Sequence, residues 1–251
     1  MHTLVITTFS RDGYELYGQR LIETWIKYWP KEGYRLRIYV EHEFSVDDDR
    51  VELVMLNEVS ESLIKFKNKC THDLEALADV KSDKKLRNKI LKTVKWCHKV
   101  YAMQHALNNN QHERVIFLDG DTYTKDHVTK GALEALSNDC LFSVHFETQY
   151  GMRHYETGLI IFNCAHEQMA DLKTHITDAY DTGEIFKLPK SWDGFWFAVL
   201  AERRHYTVTD LSEGRGIFSN STVTSILVHE AGNDKYEGKD FNTFSGLRNA
   251  H

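Results

Sequence analysis

The sequence predicts an α/β protein with a mainly parallel sheet flanked by helices. Short β-prone runs alternate with longer stretches whose apolar residues recur at helical spacing. Strands that alternate with helices form parallel sheets, because each crossover helix packs on a face of the sheet. The chain has 251 residues, 41% of them hydrophobic, and α/β chains of this size commonly form one domain. We therefore expect a single domain over residues 1–251.

The first half of the chain begins with a strand and a helix. Residues 4–6 are apolar and β-prone, and the aromatic and aliphatic residues that follow recur at helical spacing up to Pro30, where the helix should end. Two further strands are predicted at Tyr34–Val40 and Val51–Met55, on either side of an acidic loop. Residues 63–107 are predicted to be mostly helical.

The second half contains the most apolar strands. Arg114–Leu118 is predicted to be a buried strand, because its apolar run is short and β-prone. Further strands are predicted at residues 141–146 and 159–162, and a last β-prone run covers residues 225–228. The pattern of strands and helices thus continues through most of the chain.

The strand at Arg114–Leu118 ends abruptly in two acids, Asp119 and Asp121, which are separated by Gly120. Ligands bind at the carboxyl ends of the strands in open α/β sheets. Carboxylate oxygens suit hard divalent cations that also hold a diphosphate. We therefore predict a metal site at these two acids, and the alternative is an ordinary strand followed by an Asp-Gly turn.

A second polar group follows the β-prone run at residues 225–228. His229 can be a third metal ligand, Gly232 lets backbone N–H groups approach a phosphate closely, and Lys235 can neutralise a leaving diphosphate. The alternative for His229 alone is an ordinary surface or core histidine. Its combination with the two acids favours the metal site.

Together, the Asp-x-Asp of Asp119 and Asp121 and the His-x-x-Gly-x-x-Lys that starts at His229 resemble the motifs of a known family. This family is the retaining nucleotide-sugar glycosyltransferases of family 8, the glycogenin and galactosyltransferase group. Other matching pieces are the first strand, the basic helix before Asp119, the strand at residues 156–163 and a helix start at Asp193. These pieces follow the family order.

The resemblance implies a GT-A fold and a reaction. Residues 1–125 would form the nucleotide-donor half, and residues 126–251 the acceptor half with the C-terminal metal and phosphate motif. The reaction would be metal-dependent transfer of a hexose or pentose from a nucleoside-diphosphate sugar, a UDP-sugar, to a hydroxyl with retention. An imidazole among the ligands favours Mn²⁺ over Mg²⁺. The acceptor stays open between a glycan, a protein, a small molecule and a modified DNA base.

The resemblance also implies roles for individual residues. Asp119, Asp121 and His229 would hold the metal, and the nucleoside would lie at the end of the first strand. Asp193 and Glu156 would orient the acceptor hydroxyl or stabilise positive charge on the sugar. The remaining donor-binding and acceptor-binding residues would be Thr7, Thr8, Phe9, Lys99, Gly120, Gly232, Lys235 and Trp192.

Three positions depart from the family pattern. Lys235 is followed by Tyr-Glu where the family usually has Pro-Trp. Glu156 begins a Glu-Thr-Gly where Asn-Ser-Gly is common, and Gly194 stands in place of the usual glutamine after Asp193. For Glu156 the alternative is a surface acid at a strand edge. These departures lie mostly on the acceptor side of the predicted site.

A strongly basic segment lies between Lys81 and Lys99, with Asp83 as its one acid. It is either a solvated helix face, or a helix that points Lys99 at the donor phosphates, or a strip that binds a polyanion such as nucleic acid. The net charge of −6 does not exclude the last alternative, because a local patch can attract a ligand against the global sign. Trp192 is our candidate for a stacking platform beside the acceptor.

Other protein classes fit less well. A nucleotidyltransferase usually has a Gly-rich basic N-terminal loop, and a haloacid-type phosphatase has its paired acids near the N-terminus. A non-catalytic sugar- or nucleic-acid-binding module has no need of the His229 motif. The scattered cysteines indicate reduced thiols. Since no signal peptide or membrane span is predicted, we expect a protein of the bacterial or virus-infected host cytoplasm.

Overall fold

A central sheet with helices on both faces organises the computed structural model, which describes residues 2–76, 84–109, 111–149, 152–213 and 219–230. The strands are β1 (Thr3–Phe9), β2 (Tyr34–Val40), β3 (Val51–Met55), β4 (Arg114–Leu118), β5 (Thr122–Thr124), β6 (Phe142–Gln149), β7 (Met152–Asn163), β8 (Val208–Asp210) and β9 (Leu227–His229). The helices are α1 (Arg11–Gly13), α2 (Gln19–Tyr28), α3 (Leu56–Val59), α4 (Glu61–Ala76), α5 (Lys84–Asn108), α6 (Met169–His175), α7 (Asp178–Asp181), α8 (Asp193–Arg204) and α9 (Ser221–Ile226).

The main sheet contains seven strands in the order β3-β2-β1-β4-β7-β6-β8. Strands β3, β2, β1 and β4 are parallel to one another, β7 is antiparallel to both β4 and β6, and β8 is parallel to β6. A separate two-stranded ribbon pairs β5 with β9. The predicted α/β class with a mainly parallel sheet is therefore confirmed.

Each strand of the sheet centre contributes side chains to two hydrophobic cores. In β4, Val115 and Phe117 pack with helices α3 to α8, whereas Ile116 and Leu118 pack with α2 and α9 on the other face. This alternation follows from the two-residue period of a strand. All four side chains are at most 2% exposed. The centre of the sheet is thus a rigid base for the residues at its carboxyl end.

The strands at Tyr34–Val40, Val51–Met55 and Arg114–Leu118 have the predicted bounds. The prediction was wrong for residues 225 and 226, which belong to α9 rather than to a strand. The side chain of Asn220 accepts hydrogen bonds from the N–H groups of Thr222 and Val223, and this cap begins a short helix. Val223 and Ile226 lie on one side of that helix and are buried.

Two further features are the hydrophobicity of the helices and the state of the cysteines. No helix among the described residues is both long and apolar enough to cross a membrane. The four cysteines, Cys70, Cys97, Cys140 and Cys164, form no disulfide bond among the described residues.

Candidate functional site

The two acids of the Asp-x-Asp motif lie at the carboxyl end of β4, next to the centre of the sheet. The Asp119 N–H donates to the carbonyl of Gly158 on β7 at 2.9 Å, and the Thr122 N–H donates to the Asp119 carbonyl at 2.9 Å. A Cβ at Gly120 would lie 3.1 Å from the carbonyl oxygen of Thr8. The turn is therefore held tightly against the ends of β1 and β7.

The β5–β9 ribbon brings His229 to these acids. Thr122 on β5 pairs with His229 on β9, so that the histidine lies beside the Asp-x-Asp turn. Its Nε2 atom is 3.1 Å from Oδ1 of Asp121 and 3.7 Å from Oδ2 of Asp119. The side chain of His229 is 8% exposed. The histidine that the sequence suggested as a third ligand thus meets both acids.

A bulge in β7 forms the floor of the cluster. Val144 on β6 pairs with Ile160 but the next residue, His145, pairs with Glu156, so residues 157–159 are extra on β7. The Gly158 N–H donates to Oε1 of Glu156 at 3.0 Å. The ring of His229 packs on Gly158, where a Cβ would lie 2.8 Å from the ring Cε1 atom.

Glu156 completes a possible ligand set rather than lying at the surface. Its Oε1 is 3.8 Å from Nδ1 of His229, and its side chain is 12% exposed. Its Oε2 is buried and has no hydrogen-bond partner among the described residues. One ligand atom each from Asp119, Glu156 and His229 lie within 4.8 Å of one another. Imidazole and carboxylate groups at this spacing fit a divalent cation.

Lys99 connects the cluster to α8. Its Nζ atom lies 2.8 Å from Oδ1 of Asp119 and 2.9 Å from Oδ2 of Asp193. It also donates to Oγ1 of Thr157 at 3.2 Å, and this hydroxyl donates to Oδ2 of Asp193 at 2.6 Å. The predicted donor lysine therefore reaches the site, but its partners in this structure are two carboxylates and a hydroxyl. Sequence reasoning gave Thr157 no role, because a lone threonine in a strand carries no distinctive signal.

Burial and mutual charge shift the pKa values of the cluster. Burial raises the pKa of Asp119, with Asp121 and Asp193 adding to the rise and Lys99 opposing it. Burial also raises the pKa of Glu156 to about 7. Burial acts to lower the pKa of His229, yet its bond to Asp121 and the charges of Asp119 and Glu156 raise it above the ordinary value.

The pKa of Lys99 is shifted by the same carboxylates. Burial opposes its charged form, but Asp119 and Asp193 raise the pKa of Lys99 above its ordinary value. The carboxylates of Asp119, Asp121, Glu156 and Asp193 thus outnumber the cationic groups of Lys99 and His229, and all of these side chains are largely buried. A bound divalent cation would remove this imbalance.

Asp193 begins α8, as predicted, and is 3% exposed. Trp192 precedes the helix and is half-buried, with its ring centroid 6.2 Å from that of Trp96 and 5.9 Å from that of His154. The Nζ atom of Lys190 lies 5.2 Å from the Trp192 ring. One face of the site is thus aromatic and basic.

The residues predicted to hold a nucleoside lie at the end of β1. Thr7 and Phe9 are buried, whereas Thr8 is half-buried. Phe9 contacts Tyr14 and Phe44, and the rings of Tyr14 and Phe44 stack with centroids 4.0 Å apart. Both of these rings are half-buried. The predicted Gly232 and Lys235 lie outside the described residues.

Comparison with known proteins gives a fold but no sequence relative. No protein-family model matches the chain, and no curated protein sequence matches it. Mouse xyloside xylosyltransferase 1 is similar in structure, with a TM-score of 0.50 and 11% identity over 84% of this chain and 86% of that one.

Two other solved structures are similar. The galactosyltransferase LgtC has a TM-score of 0.51 and 11% identity over 98% of this chain and 93% of its own. The glycosyltransferase GlyE of Streptococcus pneumoniae has a TM-score of 0.54 and 8% identity, and the match covers 96% of this chain but 57% of GlyE. The chain therefore has the fold of the GT-A glycosyltransferases.

Proposed function

We propose that this protein is a metal-dependent glycosyltransferase that moves a sugar from a nucleoside-diphosphate sugar to a hydroxyl acceptor with retention. The observation that carries the proposal is the convergence of Asp119, Asp121, Glu156 and His229 at the carboxyl edge of a GT-A sheet. Ligand sites in open α/β sheets lie at this edge. The similar structures share little sequence identity with this chain, so they support the fold alone. The proposed activity therefore rests on this cluster.

Asp119, Asp121 and His229 would hold the cation, with Glu156 beside it. A divalent cation supplies charge neutralisation at the diphosphate, which makes that group a better leaving group. We propose Mn²⁺, because an imidazole nitrogen joins the carboxylate oxygens. The orphaned Oε2 of Glu156 supports this fit, since a buried carboxylate oxygen needs a partner.

The donor would lie over residues 1–125, with its nucleoside at the end of β1. The backbone of Thr7, Thr8 and Phe9 and the stacked rings of Tyr14 and Phe44 would contact it. An aromatic face can stack on a base. Gly232 and Lys235 would contribute backbone N–H groups and a positive charge at the diphosphate. A UDP-sugar is the donor we propose.

The acceptor would lie over the second half, beside Asp193 and Trp192. Lys99 pairs with both Asp193 and Asp119, which keeps the Asp193 carboxylate next to the proposed cation site. Asp193 and Glu156 would orient the hydroxyl and stabilise positive charge on the sugar. Trp192 would provide a flat surface for the acceptor.

The first test measures metal and donor binding together. We expect Mn²⁺ with a UDP-sugar to raise the melting temperature of the wild type, because a ligand that binds the folded state stabilises it. Asp121→Asn should lose this stabilisation and the transferase activity while keeping its fold. Asp121 is preferred to Asp119 because Asp119 also pairs with Lys99.

Asp139→Asn is the matched control, since Asp139 is exposed and lies at the other end of the sheet from the cluster, before β6. It should bind and transfer like the wild type. Full transfer by Asp121→Asn in metal-free buffer would contradict the metal site.

A nucleic-acid acceptor is the second candidate, and one surface favours it. The sequence of α5 contains no Asp or Glu. Its exposed Lys92 and Lys95 lie within one turn of Trp96, which contacts Trp192 beside Asp193. Lysines with aromatic rings are typical of surfaces that bind single strands. Mass spectrometry of DNA, protein and small molecules from cells that express the enzyme would identify the glycosylated product.

A further inference from the structure

The ribbon that carries His229 is short, and side chains from α2 and its C-terminal end contact it at both ends. Strand β9 has three residues, Leu227–His229, and pairs with only the three residues of β5. Two-stranded ribbons of this length are marginal on their own. On the β5 side, Thr24 of α2 accepts from the Thr124 N–H at 3.1 Å, and Trp29 Nε1 donates to the Thr124 hydroxyl at 2.9 Å. Helix α2 therefore fixes the far end of β5.

The near end of the ribbon is fixed by an ion pair from the same helix. Arg20 of α2 forms a salt bridge and hydrogen bond with Glu230, the residue after His229. The Glu230 N–H donates to the Asp121 carbonyl at 3.1 Å. The guanidinium of Arg20 lies 4.2 Å from the ring centroid of Tyr123 on β5. One side chain thus contacts β5 and the residue that follows β9.

We infer that Arg20 is a positioning residue that holds His229 at the cation site through Glu230. This inference rests on the proposed function only for its effect on the metal. His229 itself contacts both acids of the Asp-x-Asp turn, so displacement of β9 would move a ligand away from them. Residues that orient a metal ligand typically change metal affinity by about 10- to 100-fold when they are removed.

The side chains of Arg20 and Glu230 are 41% and 19% exposed, so the salt bridge alone stabilises the fold weakly. Its importance would be local, because it closes the end of a three-residue strand. Arginine suits this position since its planar guanidinium stacks on Tyr123 while its N–H groups bond to the carboxylate. Loss of the pair should therefore change the ribbon more than the global stability.

The first experiment follows hydrogen–deuterium exchange in the metal-free protein. Arg20→Gln should increase exchange in peptides that cover residues 122–124 and 227–230, with the remaining sheet unchanged. Arg203→Gln on α8 is the matched control, because Arg203 forms a similar half-exposed pair with Glu184. Unchanged exchange in the ribbon of Arg20→Gln would overturn the inference.

The second experiment titrates Mn²⁺ and follows free Mn²⁺ by electron paramagnetic resonance. Arg20→Gln and Glu230→Gln should each weaken binding by about 10- to 100-fold. The double variant should be no weaker than either single variant, because both remove one interaction. Arg20→Lys, which keeps the charge but loses the planar guanidinium that stacks on Tyr123, should bind more weakly than the wild type and more tightly than Arg20→Gln.

The outcomes separate the two hypotheses. Additive losses in the double variant, or wild-type Mn²⁺ binding by Arg20→Gln, would overturn the positioning role. If Arg20→Lys bound as weakly as Arg20→Gln, the role of the charge would be overturned too. If the wild type bound no Mn²⁺ while exchange in the ribbon still increased in Arg20→Gln, the proposed metal dependence would fail and the anchoring of β9 by Arg20 would stand.

Discussion

At the scale of single residues, Gly194 explains one departure from the family pattern. The family commonly has glutamine at this position, but here a Cβ would lie 2.0 Å from the carbonyl oxygen of Tyr155. No side chain can occupy that space while α8 keeps its place against β7. The close approach brings Asp193 within 2.6 Å of the Thr157 hydroxyl. Glycine at this position is therefore a packing requirement that the sequence alone could not reveal.

Gly194→Ala should destabilise the protein by about 3 kcal/mol, because a backbone carbonyl cannot move aside as a flexible side chain can. Urea denaturation measures this change in the free energy of unfolding. Gly131→Ala is the control, since nothing lies within 4 Å of its Cβ position and its φ of +83° is the only strain. We expect about 1 kcal/mol for the control. Equal losses in the two variants would contradict the contact with Tyr155.

At the scale of secondary-structure elements, the sequence predicted the strands of the sheet better than it predicted the bulge that positions the site. The predicted bounds of β2, β3 and β4 match the observed ones. All five residues of β4 are buried, as in a strand covered on both faces, whereas β2 and β3 include the exposed residues Arg35 and Glu52. The bulge in β7 escaped prediction, because it depends on how β6 pairs on either side of residues 157–159. A pairing of two distant strands leaves no local signal in either one.

The end of the chain's described part shows the same limit. Residues 225–228 are β-prone, yet residues 225 and 226 are helical. Asn220 caps the start of α9, and this helix continues to Ile226. The motif pattern singled out Asp119, Asp121 and His229, and these side chains lie close together, whereas their role as metal ligands stays a prediction. Arg20 was not found, because its partner is 210 residues away in the chain.

The bulge places Thr157 between Lys99 and Asp193, and Thr157→Val tests whether that bridge matters. Valine has a similar shape but cannot donate to Asp193 or accept from Lys99. We expect kcat to fall about tenfold with little change in KM for the donor, which corresponds to the loss of one hydrogen bond to a charged group. Steady-state kinetics with Mn²⁺ and a UDP-sugar would measure both constants.

Thr157→Ser keeps the hydroxyl and serves as the conservative control for the same position. It should retain most of the wild-type kcat. If the valine and serine variants had the same kcat, the hydroxyl would have no part in positioning Asp193.

At the scale of the whole molecule, buried titratable groups make stability depend on pH. His145 is 1% exposed, and burial lowers its pKa from 6.5 to about 4 despite the nearby Asp210 and Glu213. The unfolded chain binds a proton at this residue below about pH 6.5, whereas the folded protein does not until about pH 4. The stabilising contribution of neutral His145 is therefore complete above pH 6.5 and is lost as the pH falls towards 4.

Glu156 acts in the opposite direction, since its raised pKa favours folding as the pH falls below about 7. The difference in unfolding free energy between the wild type and His145→Asn does not include the contribution of Glu156, because Glu156 is present in both proteins. Relative to the variant, the wild type should lose roughly 2 kcal/mol of unfolding free energy between pH 7.5 and pH 4.5. Urea denaturation at several pH values measures the difference, and a constant difference would show that His145 does not titrate abnormally.

The proposed retaining reaction makes a stereochemical prediction for the whole site. In that reaction the acceptor would approach from the side on which the diphosphate departs, close to Asp193, which Lys99 holds near Asp119. Attack from that side needs no strong base opposite the leaving group, and Asp193 would contribute by positioning and charge. Asp193→Asn should therefore slow transfer without weakening donor binding. An α-linked nucleotide sugar should give an α-linked product, as measured by NMR. A β-linked product would mean inversion, would require Asp193 or Glu156 to act as a catalytic base, and would remove the retaining family as a guide to this chain.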